Sequence, residues 1–125
     1  MAPEPGRLGA ASLAVTDADT AIALCSGEVP VLGTPRVIAL CEQATLDALD
    51  GCMEAGQTSV GMRVQVDHLA PTGVGHTVRA EATLKKVEGR RLTFKVAVRD
   101  ERGLVAAGTV TRVVVDTERF MDKSR

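Results

Sequence analysis

The stretch LGTPRVIALCEQATLDAL (residues 32–49) decides the fold, because it has the period of an amphipathic helix. At about 100° per residue, its apolar and small side chains share one broad arc and its polar side chains another. Thr34 as N-cap and Pro35 as the first helical residue are an ordinary helix start. The pattern predicts a helix from residue 35 to about residue 50. Its buried arc contains Val37, Ile38, Cys41, Ala44, Thr45, Ala48 and Leu49.

The chain after this helix alternates apolar and polar residues, as strands with one exposed face do. Two short polar turns, EGRR (88–91) and DERG (100–103), join three such strands and predict an antiparallel meander. Further strands are predicted in 58–70 and, one or two, in 12–24. The inward-facing residues of the first two meander strands are Val78, Ala80, Ala82 and Leu84, then Leu92, Phe94, Val96 and Val98.

A one-sided sheet and a one-sided helix must cover each other. At 125 residues the chain is large enough for one hydrophobic core and too small for two. We therefore expect a single α+β domain over residues 1–125, in which a curved antiparallel sheet wraps around one long helix. Loose tails of about seven residues are expected at either end.

Composition excludes several classes of function. Fifteen basic against sixteen acidic residues leave a net charge of −1, so no basic surface indicates binding to nucleic acid or to a membrane. The start MAPEPGRLGA has no apolar segment typical of a signal peptide. The three cysteines lack metal-ligand spacing, which predicts free thiols, no metal and a cytoplasmic location.

Glu42 is the exception in the helix pattern. Its helical neighbours are apolar or small, so it lies at the edge of the buried stripe rather than among the polar residues. An unpaired carboxylate in such surroundings costs several kcal/mol. Either an arginine pairs with it, or it reaches the helix boundary, or it lines a pocket. The neighbours are Ile38, Thr45, Leu46 and Leu49.

A second polar residue is predicted to point inward. In SVGMRVQVDHL (59–69), strict alternation places His68 on the same face as Val60, Met62, Val64 and Val66. A lone inward histidine is often structural, but together with Glu42 it suggests a site. Thr34 is a third candidate, because its hydroxyl lies at the helix mouth. Eight residues separate Thr34 from Glu42, a rise of about 12 Å, so they cannot hydrogen-bond directly. His76 is expected to be exposed.

These residues resemble the hotdog thioesterases, in particular the branch that contains the fluoroacetyl-CoA thioesterase. The similarity runs from about Thr34 to Phe120. It is carried by TPRVIALCE (34–42), SVGMRVQVDHLAPTGVG (59–75), LKKVEGRRLTFKVAVRD (84–100) and GTVTRVVVDTERF (108–120).

The resemblance implies a hotdog fold and hydrolysis of a small acyl-CoA to free acid and CoA. By position, Thr34, Glu42 and His68 are the catalytic residues. Glu42 would act as base for a water or as nucleophile, and His68 as general acid or base towards the thiolate. Thr34 would orient one of these groups or bind the thioester oxygen. No cofactor is expected, since coenzyme A is part of the substrate.

Substrate binding is assigned to Ile38 in the pocket and to surface arginines that would lie near the CoA phosphates. The arginines in question are Arg63, Arg90, Arg91 and Arg112, with Arg63 and Arg112 preferred. Hotdog domains pair by extending the sheet across a two-fold axis, so the resemblance implies a homodimer, with a dimer of dimers as a further option.

One segment departs from the family. The fluoroacetyl-specific enzyme has a longer, Phe-containing segment between its first strand and the helix, whereas TAIALCSGEVPVLG (20–33) is short and lacks Phe. The resemblance therefore implies thioester hydrolysis without implying selectivity for fluoroacetyl-CoA. The alternative function is a non-catalytic hotdog protein that binds acyl-CoA or another small ligand. An enoyl-CoA hydratase ranks third, because DHLAPTG (67–73) lacks the second histidine typical of those enzymes.

Overall fold

The computed structural model describes residues 2–125, and its main feature is one sheet of five antiparallel strands. The strand order is β1-β3-β4-β5-β2, so β1 and β2 form the two edges. Within the described chain no helix is long and apolar enough to cross a membrane. The strands are β1 (Leu8–Ala14), β2 (Gln57–His68), β3 (Thr77–Glu88), β4 (Arg91–Asp100) and β5 (Gly103–Asp116).

Helix α1 (Thr34–Ala48) packs against all five strands, most extensively against β1 and β3. This confirms the predicted helix and the hotdog arrangement of a sheet wrapped around it. The helix ends slightly before the predicted residue 50. Its fully buried residues are Val37, Leu40, Cys41, Ala44, Thr45 and Ala48.

The core between sheet and helix is aliphatic apart from Phe94. The two hairpins β3–β4 and β4–β5 have the predicted turns and strand pairing. All eight inward residues predicted for β3 and β4 are at most 1% exposed, which confirms the alternation. The hydrophobic periodicity therefore determines which face of the meander covers the helix.

Glycine at position 9 allows α1 to lie directly on β1. A Cβ on Gly9 would overlap the backbone of Ala44 and Ala48, so no other residue fits without moving the helix. The backbone N–H of Ala10 donates to the Asp47 carboxylate at 2.9 Å and fixes the same contact. This close approach sets the position of α1, and with it the positions of the side chains at its opposite edge.

Strand β2 contains a bulge that the sequence analysis did not predict. Its pairing with β5 shifts between Gly61 and Arg63, so Met62 is an extra residue. Val64 and Val66 pack against the core as predicted, but Val60 and Met62 do not share their face. Instead Ser59 is buried, and Met62 is 47% exposed. The extra residue reverses the alternation, which is why the predicted single face is wrong before residue 63.

The ends of the chain are more ordered than predicted. The Arg7 side chain donates to Ala48 O at 2.7 Å and to Asp50 O at 2.9 Å. At the other end, the predicted loose tail contains a short helix, α2 (Thr117–Asp122), capped by the Asp116 carboxylate. The region 12–24 contains the end of β1, a 3-10 turn (Asp17–Asp19) and further turns, so the option of a second strand there is wrong.

Candidate active site

Helix α1 and edge strand β2 lie side by side and carry the predicted site residues. Thr34, Ile38 and Glu42 follow each other at intervals of four residues, so they form a row along the edge of α1. One end of this row contacts His68 at the end of β2, and the other end contacts Gly61. Ile38 is half-buried between the two ends.

The first contact joins Thr34 to His68. The distance from Thr34 Oγ1 to His68 Nδ1 is 2.8 Å. The N-cap of α1 is Gly33, and Pro35 follows the first helical residue, Thr34. The expectation that Thr34 caps the helix is therefore wrong by one position. The Thr34 hydroxyl does not cap the helix. Within residues 2–125 its hydrogen-bond partner is the His68 imidazole.

The second nitrogen of His68 is unusual. Nε2 is buried and lacks a hydrogen bond of good geometry within residues 2–125, while the backbone of Ala70 interacts with the imidazole and opposes the effect of burial on its pKa. Burial lowers the pKa of His68 below its ordinary value, because a low-dielectric surrounding disfavours the imidazolium. Burial therefore favours the neutral imidazole, which Thr34 contacts through Nδ1. Buried polar atoms without a partner are rare in proteins, and Nε2 is suited to a bound ligand.

The second contact joins Glu42 to Arg112. Arg112 Nη1 donates to Glu42 Oε2 at 3.3 Å. The same guanidinium donates through Nε to Ser59 Oγ and through Nη2 to Ser59 O, both at 2.9 Å. Burial lowers the pKa of Arg112, and the charge of Glu42 opposes this effect. The carboxylate is thus held by a fixed cation while about a third of its side chain remains exposed.

Arg112 does not lie where it was expected. It was expected on the surface near the CoA phosphates, but only 5% of it is exposed. It lies directly opposite Gly61 in the β2–β5 ladder, and both face α1. A surface position is therefore wrong for Arg112, whereas Arg63, Arg90 and Arg91 are exposed as expected.

Gly61 and Ser59 are residues that the sequence analysis missed. A side chain on Gly61 would collide with the Glu42 carboxylate, so glycine is what lets the carboxylate approach the strand. A glycine inside a strand pattern often marks a bulge or a close approach, and here it marks both. The role of Ser59 gives no such signal, because it depends on the register between β2 and β5.

The structure brings the three predicted catalytic residues together in two groups. Thr34 and His68 are in direct contact, whereas Glu42 contacts Arg112 and Gly61. Along α1 the two groups are about 12 Å apart, as expected from the helical rise.

A cavity of about 330 Å³ opens at the Thr34–His68 end of the row. Thr34 and His68 line one side of it. The other walls come from the segment before α1 and from the residues that follow β2. They are Ala21, Ser26, Gly27, Val29, Val31, Leu32, Gly33, Leu69, Ala70 and Pro71.

The other histidine and the three cysteines make no hydrogen bond to Thr34, Glu42 or His68 among the described residues. His76 is about half exposed, as expected, and pairs with Glu101 at 2.7 Å. Cys25, Cys41 and Cys52 are all free, and burial raises the pKa of the Cys41 thiol to about 11. No three histidine, cysteine or carboxylate side chains within residues 2–125 converge as metal ligands would.

Several known proteins are similar to this chain in sequence and fold. Residues 15–118 match the family model described as fluoroacetyl-CoA-specific thioesterase. The fluoroacetyl-CoA thioesterase of Streptantibioticus cattleyicolor is 37% identical over 95 residues, which cover 76% of this chain and 68% of that protein. A solved structure of the fluoroacetyl-CoA thioesterase FlK superimposes with a TM-score of 0.92 at 30% identity, over 98% of this chain and 95% of that one. A thioesterase superfamily member from Thermus thermophilus gives 0.90 at 25% identity, over 98% and 91%.

Proposed function

This chain belongs to the fluoroacetyl-CoA-specific thioesterase family and is an acyl-CoA thioesterase, and we propose that Glu42, His68 and Thr34 are its catalytic residues. The products are the free acid and CoA. The observation that carries the proposal is the buried, unpartnered Nε2 of His68, held beside a cavity by the Thr34 hydroxyl.

His68 acts on the leaving group. When the Thr34 hydroxyl donates to Nδ1, the proton of the neutral imidazole is on Nε2, the buried nitrogen that lacks a hydrogen bond within residues 2–125. Nε2–H can then donate to the thioester oxygen or give its proton to the departing thiolate. Thr34 therefore supports catalysis by fixing the tautomer and the orientation of the ring.

Glu42 acts on the carbonyl carbon, and two chemistries are open to it. As a general base it takes a proton from a water that attacks the thioester. As a nucleophile it forms a mixed anhydride, CoA leaves as the thiolate, and water then cleaves the anhydride. In both cases Arg112 keeps the carboxylate at the Gly61 end of the row, where about a third of its side chain is accessible.

The proposed form of the enzyme is a homodimer. The outer edge of β2 is unpaired in the described chain, although this strand has 12 residues. Open strand edges pair with other strands, and a two-fold axis would extend the sheet across two copies. Arg63, exposed on β2, would then be available to the CoA phosphates near the shared boundary. The three free thiols fit a reducing compartment such as the cytoplasm.

The test is release of free thiol from a panel of acyl-CoAs by the wild type and by Glu42→Gln and His68→Asn. General acid–base catalysis contributes about 10²–10⁴-fold, so each variant should lose that much in kcat/KM while staying folded. Glu81→Gln and His76→Asn are matched controls on the surface and should keep wild-type rates. Saturable acyl-CoA binding without turnover by the wild type would favour the non-catalytic binding protein instead.

A further inference from the structure

We propose that this thioesterase selects acyl groups with a branched or aromatic apolar body rather than fluoroacetyl or acetyl, a statement about substrate class that rests on the function proposed above. The basis is the cavity beside Thr34 and His68. We infer that the acyl group enters it while the thioester carbonyl lies over Ile38.

The cavity is large because small residues line it. Ala21, Gly27, Gly33 and Ala70 contribute little side-chain volume, and neither phenylalanine of the chain lines the cavity. A cavity of about 150 Å³ is enough to bind benzene. At about 330 Å³ this cavity, which is open to solvent, has more than twice that volume, so an acetyl group would leave most of it unfilled.

The wall before α1 is held in place by its own backbone. Ala21 N donates to Val31 O and Ser26 N to Ala21 O, both at 2.9 Å. Leu32 N donates to Thr72 O at 2.8 Å, which ties the same segment to the loop after β2. Since these bonds exist in the free protein, the open volume is preformed and needs no ordering when a ligand enters.

The lining also excludes charged acyl groups. Among the described residues that form it, none is an aspartate, glutamate, lysine or arginine. An ionised carboxylate without a partner is costly in an apolar pocket, so dicarboxylic acyl groups are disfavoured. Neutral apolar groups instead gain from burial, by about fourfold in affinity for each methylene or methyl group.

The experiment measures kcat/KM for fluoroacetyl-, acetyl-, butyryl-, succinyl-, isovaleryl- and phenylacetyl-CoA. The expected order rises from acetyl to isovaleryl and phenylacetyl, by at least tenfold over the series, and butyryl-CoA exceeds succinyl-CoA. If acetyl- or fluoroacetyl-CoA is the best substrate, or if succinyl-CoA equals butyryl-CoA, the inference is wrong while thioester hydrolysis stands. If no thioester is cleaved, the proposed catalytic site is also wrong.

A variant links selectivity to the cavity. Val29 lines it and is 54% exposed, so Val29→Phe adds bulk at the rim without entering the core. This variant should lower kcat/KM for phenylacetyl-CoA at least tenfold relative to acetyl-CoA. Val87→Phe makes the same change on β3, where the residue is 36% exposed and lines no part of this cavity, and should leave the ratio unchanged. An unchanged ratio in Val29→Phe would place the acyl group elsewhere.

Discussion

His68 makes the stability of the fold depend on pH. Its folded pKa lies below the ordinary value of about 6.5, so the unfolded chain binds a proton first as the pH falls. The free energy of unfolding therefore decreases from about pH 7.5 down to the folded pKa and then levels off. In urea unfolding at pH 7.5 and pH 5, the wild type should lose more stability than His68→Gln. Equal losses in the wild type and in His68→Gln would contradict the burial effect.

The effect of Thr34 on His68 can be tested separately from any effect of Thr34 on the stability of the helix. Thr34→Val keeps the side-chain shape and removes the hydroxyl at 2.8 Å from Nδ1. We expect kcat to fall about tenfold to hundredfold, a part of what general acid–base catalysis contributes, with little change in KM. Because Gly33 is the N-cap, the melting temperature should change less than loss of a capping side chain would cause. Thr34→Ser should restore kcat. If instead stability falls and kcat does not, the hydroxyl serves the helix.

Ser59 supports the buried arginine. Ser59→Ala removes the acceptor of Arg112 Nε, and a buried donor left unpaired costs about 1–3 kcal/mol. Urea denaturation should show a loss of this size, with a fall in kcat because Glu42 loses its fixed partner. Ser12→Ala, at an exposed position on β1, is the control and should change neither quantity. Full stability in Ser59→Ala would mean that the carbonyl of Ser59 suffices to hold the guanidinium.

At the scale of elements, the contact of α1 with β1 is the most sensitive point. Gly9→Ala places a methyl group against the backbone of Ala44 and Ala48. Overpacking of this kind costs about 1–3 kcal/mol, and here the helix must move away from the strand. Gly73→Ala is the matched control, because a Cβ there meets its nearest neighbour at 3.6 Å. Chemical denaturation of both variants tests this; a wild-type midpoint for Gly9→Ala would refute the close packing.

Periodicity made most elements predictable, and the exceptions have two causes. The helix and the β3–β4–β5 meander follow from alternation, because one face of each is buried without interruption. The bulge at Met62 and the inward Arg112 depend on how β2 aligns with β5, a long-range pairing that no local pattern contains. The short helix α2 was missed because all of its residues are exposed and it has no buried stripe.

For the molecule as a whole, the open edge of β2 predicts self-association. Met62 protrudes from this strand with 47% of its surface exposed, and a second copy across a two-fold axis would cover it. Sedimentation velocity should show a dimer for the wild type and a shift to monomer for Met62→Lys. Met121→Lys, on α2 with 43% exposure, is the matched control and should remain dimeric. A monomeric wild type at micromolar concentration would contradict the pairing.

The three candidate site residues could be predicted from the sequence, but their spatial arrangement could not. Glu42 and His68 were noticeable because each is polar on an apolar face, and Thr34 because of its position at the helix start. That Thr34 serves His68 while Glu42 has its own cation depends on the side-by-side packing of α1 and β2. Such packing is a property of the assembled core rather than of either segment.

The bulge in β2 also makes the site sensitive to the length of the strand. Gly61 and His68 are seven residues apart, an odd number, so in a regular strand they would point to opposite sides of the sheet. The extra residue at Met62 brings both to the side of α1. Deleting one residue from this interval would turn either the Glu42 half or the Thr34 half away from the other. In relatives of this protein, substitutions between these positions should therefore be common and single-residue insertions or deletions absent.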